Sequence, residues 1–294
     1  MMSTSSHEQG CQVVEAGDVL SRFVLPVSAD KAREVAMALG ATGWQDRGPD
    51  ELQGAAVVPT FTVTSGFWQD RRSILTEQLG FELGRLLHGG QHWEYARLPR
   101  VGELLQGTTT LADITEKSGG RGGRMRLVTL LNRYVDEQGA QVLDESMVLI
   151  DVEQQPEREV DDGAQRRAVP EAPAADWSAS RRITRTDIVR YAGASGDFNP
   201  IHHDDEFARA QGLPSVFSMG LLQAGMLATD LGERHDVSEL SRFSVRFADR
   251  VWPDEVLSFR GTANEEGTQV DLDVRAEDGR VVITGTAQLG RAPG

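Results

Sequence analysis

Two short segments recur in the same order on either side of one unpatterned stretch, and this repeat constrains the fold more than any other feature of the chain. Residues 153–176 combine EQQPEREVDDGAQ with the Ala/Pro run AVPEAPAAD and show no apolar period, as a linker does. Before it, Ala38-Leu39-Gly40-Ala41-Thr42-Gly43 matches Tyr191-Ala192-Gly193-Ala194-Ser195-Gly196 after it, each following a helical stretch. Val101-Gly102-Glu103-Leu104-Leu105 likewise parallels Trp252-Pro253-Asp254-Glu255-Val256-Leu257 at nearly the same offset, each leading into strand-like sequence. The spacing predicts a duplicated unit, residues 12–152 and 177–291, joined by residues 153–176.

Each unit carries strand signals. MRLVTLLNRYV and AQVLDESMVLIDV flank Asp136-Glu137-Gln138-Gly139, while TQVDLDVRA and RVVITGTAQL flank Glu277-Asp278-Gly279. Both read as antiparallel hairpins. The preceding segments ILTEQLGFELGRLLHG and FSMGLLQAGMLATDLGER have the length and apolar spacing of helices. The expectation for each unit is α+β, one long apolar helix with a meandering antiparallel sheet curled around it, and two such units paired. Two unrelated α+β domains are the alternative.

Composition narrows the function. With 39% hydrophobic residues, the 294-residue chain can bury a sizeable core. Acidic residues outnumber basic ones, 45 to 30, for a net charge of -15, which disfavours nucleic acid or an anionic membrane surface as the main partner. The single cysteine, Cys11, can form neither an internal disulfide nor a thiolate metal cluster, so a reducing compartment is expected. MMSTSSHEQG is polar where a signal peptide needs an apolar core, and no apolar run approaches the roughly 18 residues of a membrane span. The expectation is a cytoplasmic protein.

The segment from Ile183 to Gly225 carries the chemistry. Thr184 and Asp187 are spaced as a capping box that opens a helix, which ends near Gly196. Asp197-Phe198-Asn199-Pro200-Ile201-His202 then sets a carboxylate and an imidazole five residues apart on a loop stiffened by Pro200. Such a pair suits hydration of a double bond, where one group takes a proton from water and another handles the proton at the neighbouring carbon. If the double bond is conjugated to a thioester, negative charge grows on the carbonyl oxygen, and a backbone N–H at a helix start stabilises it. Met219-Gly220, at the head of the second apolar segment, offers that N–H.

The motif GDFNPIH, with Gly196, Asp197, Asn199, Pro200 and His202, resembles the signature of MaoC-like (R)-specific enoyl-CoA hydratases and 3-hydroxyacyl-thioester dehydratases. The first half is similar to the dehydratase-like domains fused to such units, through VVPTFTV, LHGGQHWEY, LPRVGELL and KSGGRGGRM. The resemblance implies a double hot-dog fold, no cofactor and no metal. It implies Asp197 and His202 as the pair that holds the catalytic water, Gly220 as the oxyanion donor, and Asn199 and Ser218 beside the substrate. Family members usually carry HGM or HGL where this chain has Ser218-Met219-Gly220-Leu221, so the glycine is kept and the histidine is replaced by Met219. The repeat places Trp44 opposite Asp197 with no suitably spaced histidine, which makes the first half non-catalytic. There the resemblance assigns residues near Phe61, Phe67 and Trp68 to shaping an acyl pocket.

Other patterns have plainer readings. In His202-His203-Asp204-Asp205 the side chains are adjacent and rarely converge on one ion, and no third ligand stands at a suitable spacing, which argues against a metal. His88 and His92 stand four apart, but Gly89-Gly90 end any helix there, so a structural or surface role is expected. Arg121-Gly122-Gly123-Arg124 has the composition of a phosphate clamp and equally of a solvated hairpin loop. Leu221 to Leu231 read as core, and Trp93 and Tyr95 as strand packing. The expected activity is hydration of an enoyl thioester of CoA or acyl carrier protein, or the reverse, in a homodimer or a monomer whose halves mimic one. A hot-dog thioesterase, or a non-catalytic acyl-binding subunit, is the alternative.

Overall fold

A computed structural model describes residues 14–119, 123–152 and 174–290. The first half contributes β1 (Val19–Pro26), α1 (Ala29–Ala38), β2 (Leu86–Tyr95), β3 (Leu104–Gly119), β4 (Gly123–Val135) and β5 (Gln141–Val152). The second contributes β6 (Trp177–Arg182), α2 (Arg185–Ser195), α3 (Gly220–Gly232), β7 (Leu240–Phe247), β8 (Val256–Ala263), β9 (Gln269–Ala276) and β10 (Val281–Leu289). Residues 153–173, Cys11 and Arg121-Gly122 lie outside the described residues, so the linker and the proposed phosphate clamp are not placed.

All ten strands form one antiparallel sheet in the order β1-β3-β4-β5-β2-β7-β10-β9-β8-β6. The order is the same read from either end once each strand is matched to its repeat partner: β1 with β6, β3 with β8, β4 with β9, β5 with β10, β2 with β7. The duplication expected from sequence is thus the symmetry of the sheet, and the double hot-dog architecture is borne out. The halves join where β2 pairs with β7, from Gly90 opposite Arg246 to Glu94 opposite Arg242. At that seam Trp93 faces Phe243, their rings stacked 5.4 Å apart and both fully buried.

The helices obey their sequences. Ser28 caps α1 by accepting from the Lys31 amide, and the Thr184–Asp187 capping box opens α2. These repeat-related helices pack on each other, and each buries small and apolar side chains, Ala32, Val35 and Ala36 on one and Ile188, Tyr191 and Ala192 on the other. From Leu221 to Leu231 every residue of α3 is buried, as a helix wrapped by a sheet requires. Its one buried charge, Asp230, is paired with Arg181.

One expected helix does not form. Over residues 74–89, only Ile74–Gln78 coils, into a single wide turn; Gly80 then takes φ +67°, and β2 begins at Leu86. Strand β2 has two neighbours, β5 and β7, and this pairing overrides the local helical spacing. In the place between α1 and β2 the first half has, among its described residues, only short helical turns, the longest being the mostly buried 3₁₀ segment Phe61–Phe67, rather than a long helix like α3. Among the described residues no helix is long and apolar enough to cross a membrane.

Candidate active site

The α2 helix ends at Gly196, whose φ of +81° is open to glycine at little cost. The chain then turns through Asp197. Its backbone N–H donates to Ser195 Oγ at 3.3 Å, and its Oδ1 accepts from the Asn199 amide at 3.3 Å. Asn199 Oδ1 accepts from Ile201 N at 3.3 Å, capping the short helical turn Pro200–His202. These contacts fix both functional side chains before any substrate arrives.

His202 is almost fully buried. Its Nδ1 lies 2.8 Å from the carbonyl oxygen of Phe217, an acceptor only, so Nδ1 carries a hydrogen and Nε2 is the nitrogen that can accept. Nε2 stands 3.9 Å from Asp197 Oδ2, too far for a hydrogen bond between them. Two acceptors at this separation can both receive hydrogens from one water molecule. Phe217 packs edge-on against the His202 ring, at 5.0 Å, and locks its plane.

A cavity of about 700 Å³ opens on this pair. Ser218, Met219 and Gly220 line it, as Asn199 does, so every site residue expected from sequence reaches one chamber. Gly220 begins α3, whose preceding residue, Met219, gives no side-chain cap. The first N–H groups of this helix thus meet no competing side-chain acceptor there. A Cβ at Gly220 would stand 2.6 Å from Phe247 Cδ1, so only glycine admits this ring against the helix start. Ser218 Oγ accepts from Gln223 Nε2 at 2.6 Å, which leaves its own hydrogen to donate elsewhere. Gln223 also lines the cavity, a contribution that its place in an apolar run conceals.

The other wall comes from the first half, through Leu75, Leu83, Leu86, Leu87, Met147 and Leu149. This apolar arm occupies the region where the first half makes no long helix. Of the aromatic residues expected to shape it, Phe61 is fully buried in the core, Trp68 is 48% exposed, and Phe67 packs edge-on to Phe198 at 6.2 Å. Their neighbours Gly66 and Gln69 line the cavity instead. Trp44 follows Gly43, at φ +76°, much as Asp197 follows Gly196, and lies partly buried against the core, away from the cavity wall.

His88 corrects the sequence reading. It sits on β2 rather than at a helix end, and it lines the cavity, its ring 4.7 Å from that of Phe247. A bulge between His88 and Gly90 lets His88 Nε2 reach Gln91 Oε1 at 2.8 Å, although residues three apart on a regular strand face opposite ways. Gln91 Nε2 in turn donates to buried Glu145 at 2.5 Å. Burial pushes the His88 imidazole down to about 4, outweighing the Gln91 hydrogen bond, so the ring is neutral near pH 7. Burial also raises Glu145. The acidic cluster after His202 is structural: Asp204 caps the following helix through the Glu206 and Phe207 amides, and Asp205 accepts from Val216 N.

A hot-dog sheet with a carboxylate and an imidazole 3.9 Å apart beside a helix N-terminus is an arrangement that can hold one water between them. The family model for the MaoC-like domain matches residues 169–285, and that for the FAS1-like dehydratase region matches residues 16–145. The chain is 32% identical to 3-hydroxyacyl-thioester dehydratase Y of Mycobacterium tuberculosis over 216 residues, covering 69% of this chain and 72% of that one. It is 28% identical to mouse peroxisomal multifunctional enzyme type 2, over 70% of this chain and 28% of that much longer protein. The crystal structure of a MaoC-like dehydratase from Phytophthora capsici superposes with a TM-score of 0.74 at 17% identity, covering 96% of this chain and 97% of the other. The chain belongs to the MaoC-like dehydratase family and is a hydro-lyase of that type.

Proposed function

We propose that this protein adds water to a trans-2-enoyl thioester to give a (R)-3-hydroxyacyl thioester, and catalyses the reverse dehydration, without a cofactor. The observation that carries this reading is the 3.9 Å gap between Asp197 Oδ2 and His202 Nε2, both acceptors, at the wall of the cavity. A water donating one hydrogen to each turns a lone pair toward C3 of the substrate. As its oxygen bonds to C3, the water loses one proton to Asp197, with His202 holding the other O–H. The electrons of the double bond move through C2 onto the thioester oxygen, where the Gly220 N–H meets the growing charge. C2 then takes a proton from the pair, and both side chains return to their starting states.

The acyl chain would lie along the apolar arm of the first half, which among its described residues has no ion-paired carboxylate and imidazole and shapes the chamber instead. Residues 12–152 and 177–291 are read as the two units, with 153–176 as linker. The carrier is CoA or acyl carrier protein, the protein is a cytoplasmic homodimer or a monomer whose halves stand in for one, and its lone cysteine suits a reducing compartment. The test follows loss of enoyl absorbance with short, long and branched enoyl-CoA esters, chiral analysis of the product, and a thiol reagent for free CoA. Hydration to the (R) alcohol is expected. Release of free CoA at the rate of substrate loss would identify a thioesterase instead.

A further inference from the structure

Asp70, Arg71 and Arg72 border the cavity where the apolar arm begins, and of the three only Arg71 is not exposed. Arg71 opens the short helical turn Arg71–Ser73, is partly buried, and lines the cavity with Leu75 from the next turn. Its guanidinium donates to Ser65 Oγ at 3.1 Å; among the described residues this is its only hydrogen bond, and no carboxylate forms an ion pair with it. A guanidinium has five N–H donors in a planar fork and stays charged. The buried Glu145 carboxylate feels this charge but makes no hydrogen bond or ion pair with it, so the fork's remaining donors are open to a further anion.

The surroundings fix where that anion would lie. A Cβ at Gly66 would be 3.9 Å from Arg71 Cζ and 3.8 Å from the Gly196 carbonyl oxygen, so the guanidinium flanks the loop that holds Asp197. His88, on the same wall, is neutral near pH 7 and spends Nε2 on Gln91, which leaves Arg71 as the cation of this region. Arg72 also borders the cavity but is exposed.

We propose that Arg71 binds a carboxylate carried by the acyl group beyond the reacting double bond, so that the preferred substrates are enoyl thioesters of dicarboxylic acids. A carboxylate matches the planar fork with two parallel hydrogen bonds. The phosphates of CoA are the other anions that would suit, but Arg71 stands with the leucines of the acyl arm rather than on an exposed rim. The inference rests on the hydratase reading.

The experiment compares two trans-2-enoyl-CoA esters of equal chain length, one ending in a methyl group and one in a carboxylate, with the full chain and its Arg71→Met and Arg71→Lys variants. The ratio of the two kcat/KM values is read, because it is insensitive to the fraction of folded enzyme. Wild type is expected to favour the carboxylate ester, Arg71→Met to lower the ratio about tenfold to a hundredfold, and Arg71→Lys to fall between. Calorimetric binding of free CoA is expected to be the same in wild type and Arg71→Met. An unchanged ratio overturns the proposal, and so does a matching loss of affinity for free CoA, which would assign Arg71 to the phosphates. If neither ester is hydrated, the hydratase reading fails by itself. The Arg71 proposal is then judged by the Kd values of the corresponding saturated esters, with the same ratio expected.

Discussion

Asp197 and His202 face each other across 3.9 Å without a hydrogen bond between them, each fixed from behind by a backbone group. Neither can satisfy the other, so both are left to act on a third molecule. If they hold one water as a unit, Asp197→Asn and His202→Ala should each lower kcat by about 10²–10⁴-fold, with a smaller change in substrate affinity. The double variant should be little slower than the worse single one, because groups acting together are not additive. His203→Ala is the control: that ring is exposed and bonds the Phe198 carbonyl at 3.3 Å. Equal losses at His203 and His202 would show the pair to be misassigned.

Gly220 yields a second expectation. An alanine there places its methyl carbon 2.6 Å from the Phe247 ring, and α3 must shift to accept it. Gly220→Ala should therefore lower kcat by about 10²–10³-fold, as loss of an oxyanion donor does, while the circular dichroism spectrum is kept. Phe247→Ala added to Gly220→Ala should restore part of the activity. A double variant no faster than Gly220→Ala alone would mean that steric pressure from Phe247 is not what displaces the N–H.

The neutral state of His88 makes stability depend on pH. Its folded value, about 4, lies below the unfolded 6.5, so between these limits the unfolded chain binds a proton that the folded chain does not. The His88 contribution is complete above pH ~6.5 and is lost as the pH falls toward ~4, by up to about 3 kcal/mol. Urea unfolding across this window should show His88→Gln losing less stability on acidification than wild type. Parallel curves would place His88 in contact with solvent.

At the seam between the halves, Trp93→Ala removes a fully buried indole that stacks on Phe243 and donates to Thr62 Oγ1 at 3.1 Å. The expected cost is about 3–5 kcal/mol, measured by denaturant unfolding. A cost below about 1 kcal/mol would mean that this contact does not hold the halves together.

The catalytic loop was legible in the sequence because its shape is made locally. Gly196 supplies the positive φ, Asn199 caps the turn, Pro200 starts it, and His202 closes it with its ring at the cavity. The apolar arm was not legible, because residues 74–89 carry helical spacing and become a turn and a strand only through pairing with distant β5 and β7. His88 was misread for the same reason. Its face of the strand is set by a bulge, and a bulge is a property of two strands in register rather than of one. Arg71 gave no signal either, since its chemistry depends on which wall it borders.

The palindromic strand order has an evolutionary consequence. One copy of the repeat carries the Asp197–His202 pair and the other supplies an apolar wall of the same cavity, so on the proposed function the two copies divide the labour of a single chamber. On that reading, substitutions along the wall at 71–89 and 147–150 would retune which chain is admitted without touching the loop at 196–202. A lineage with this architecture can diversify its diet while its chemistry stands still, and grafting the wall of one such protein onto the loop of another is the direct way to exploit it.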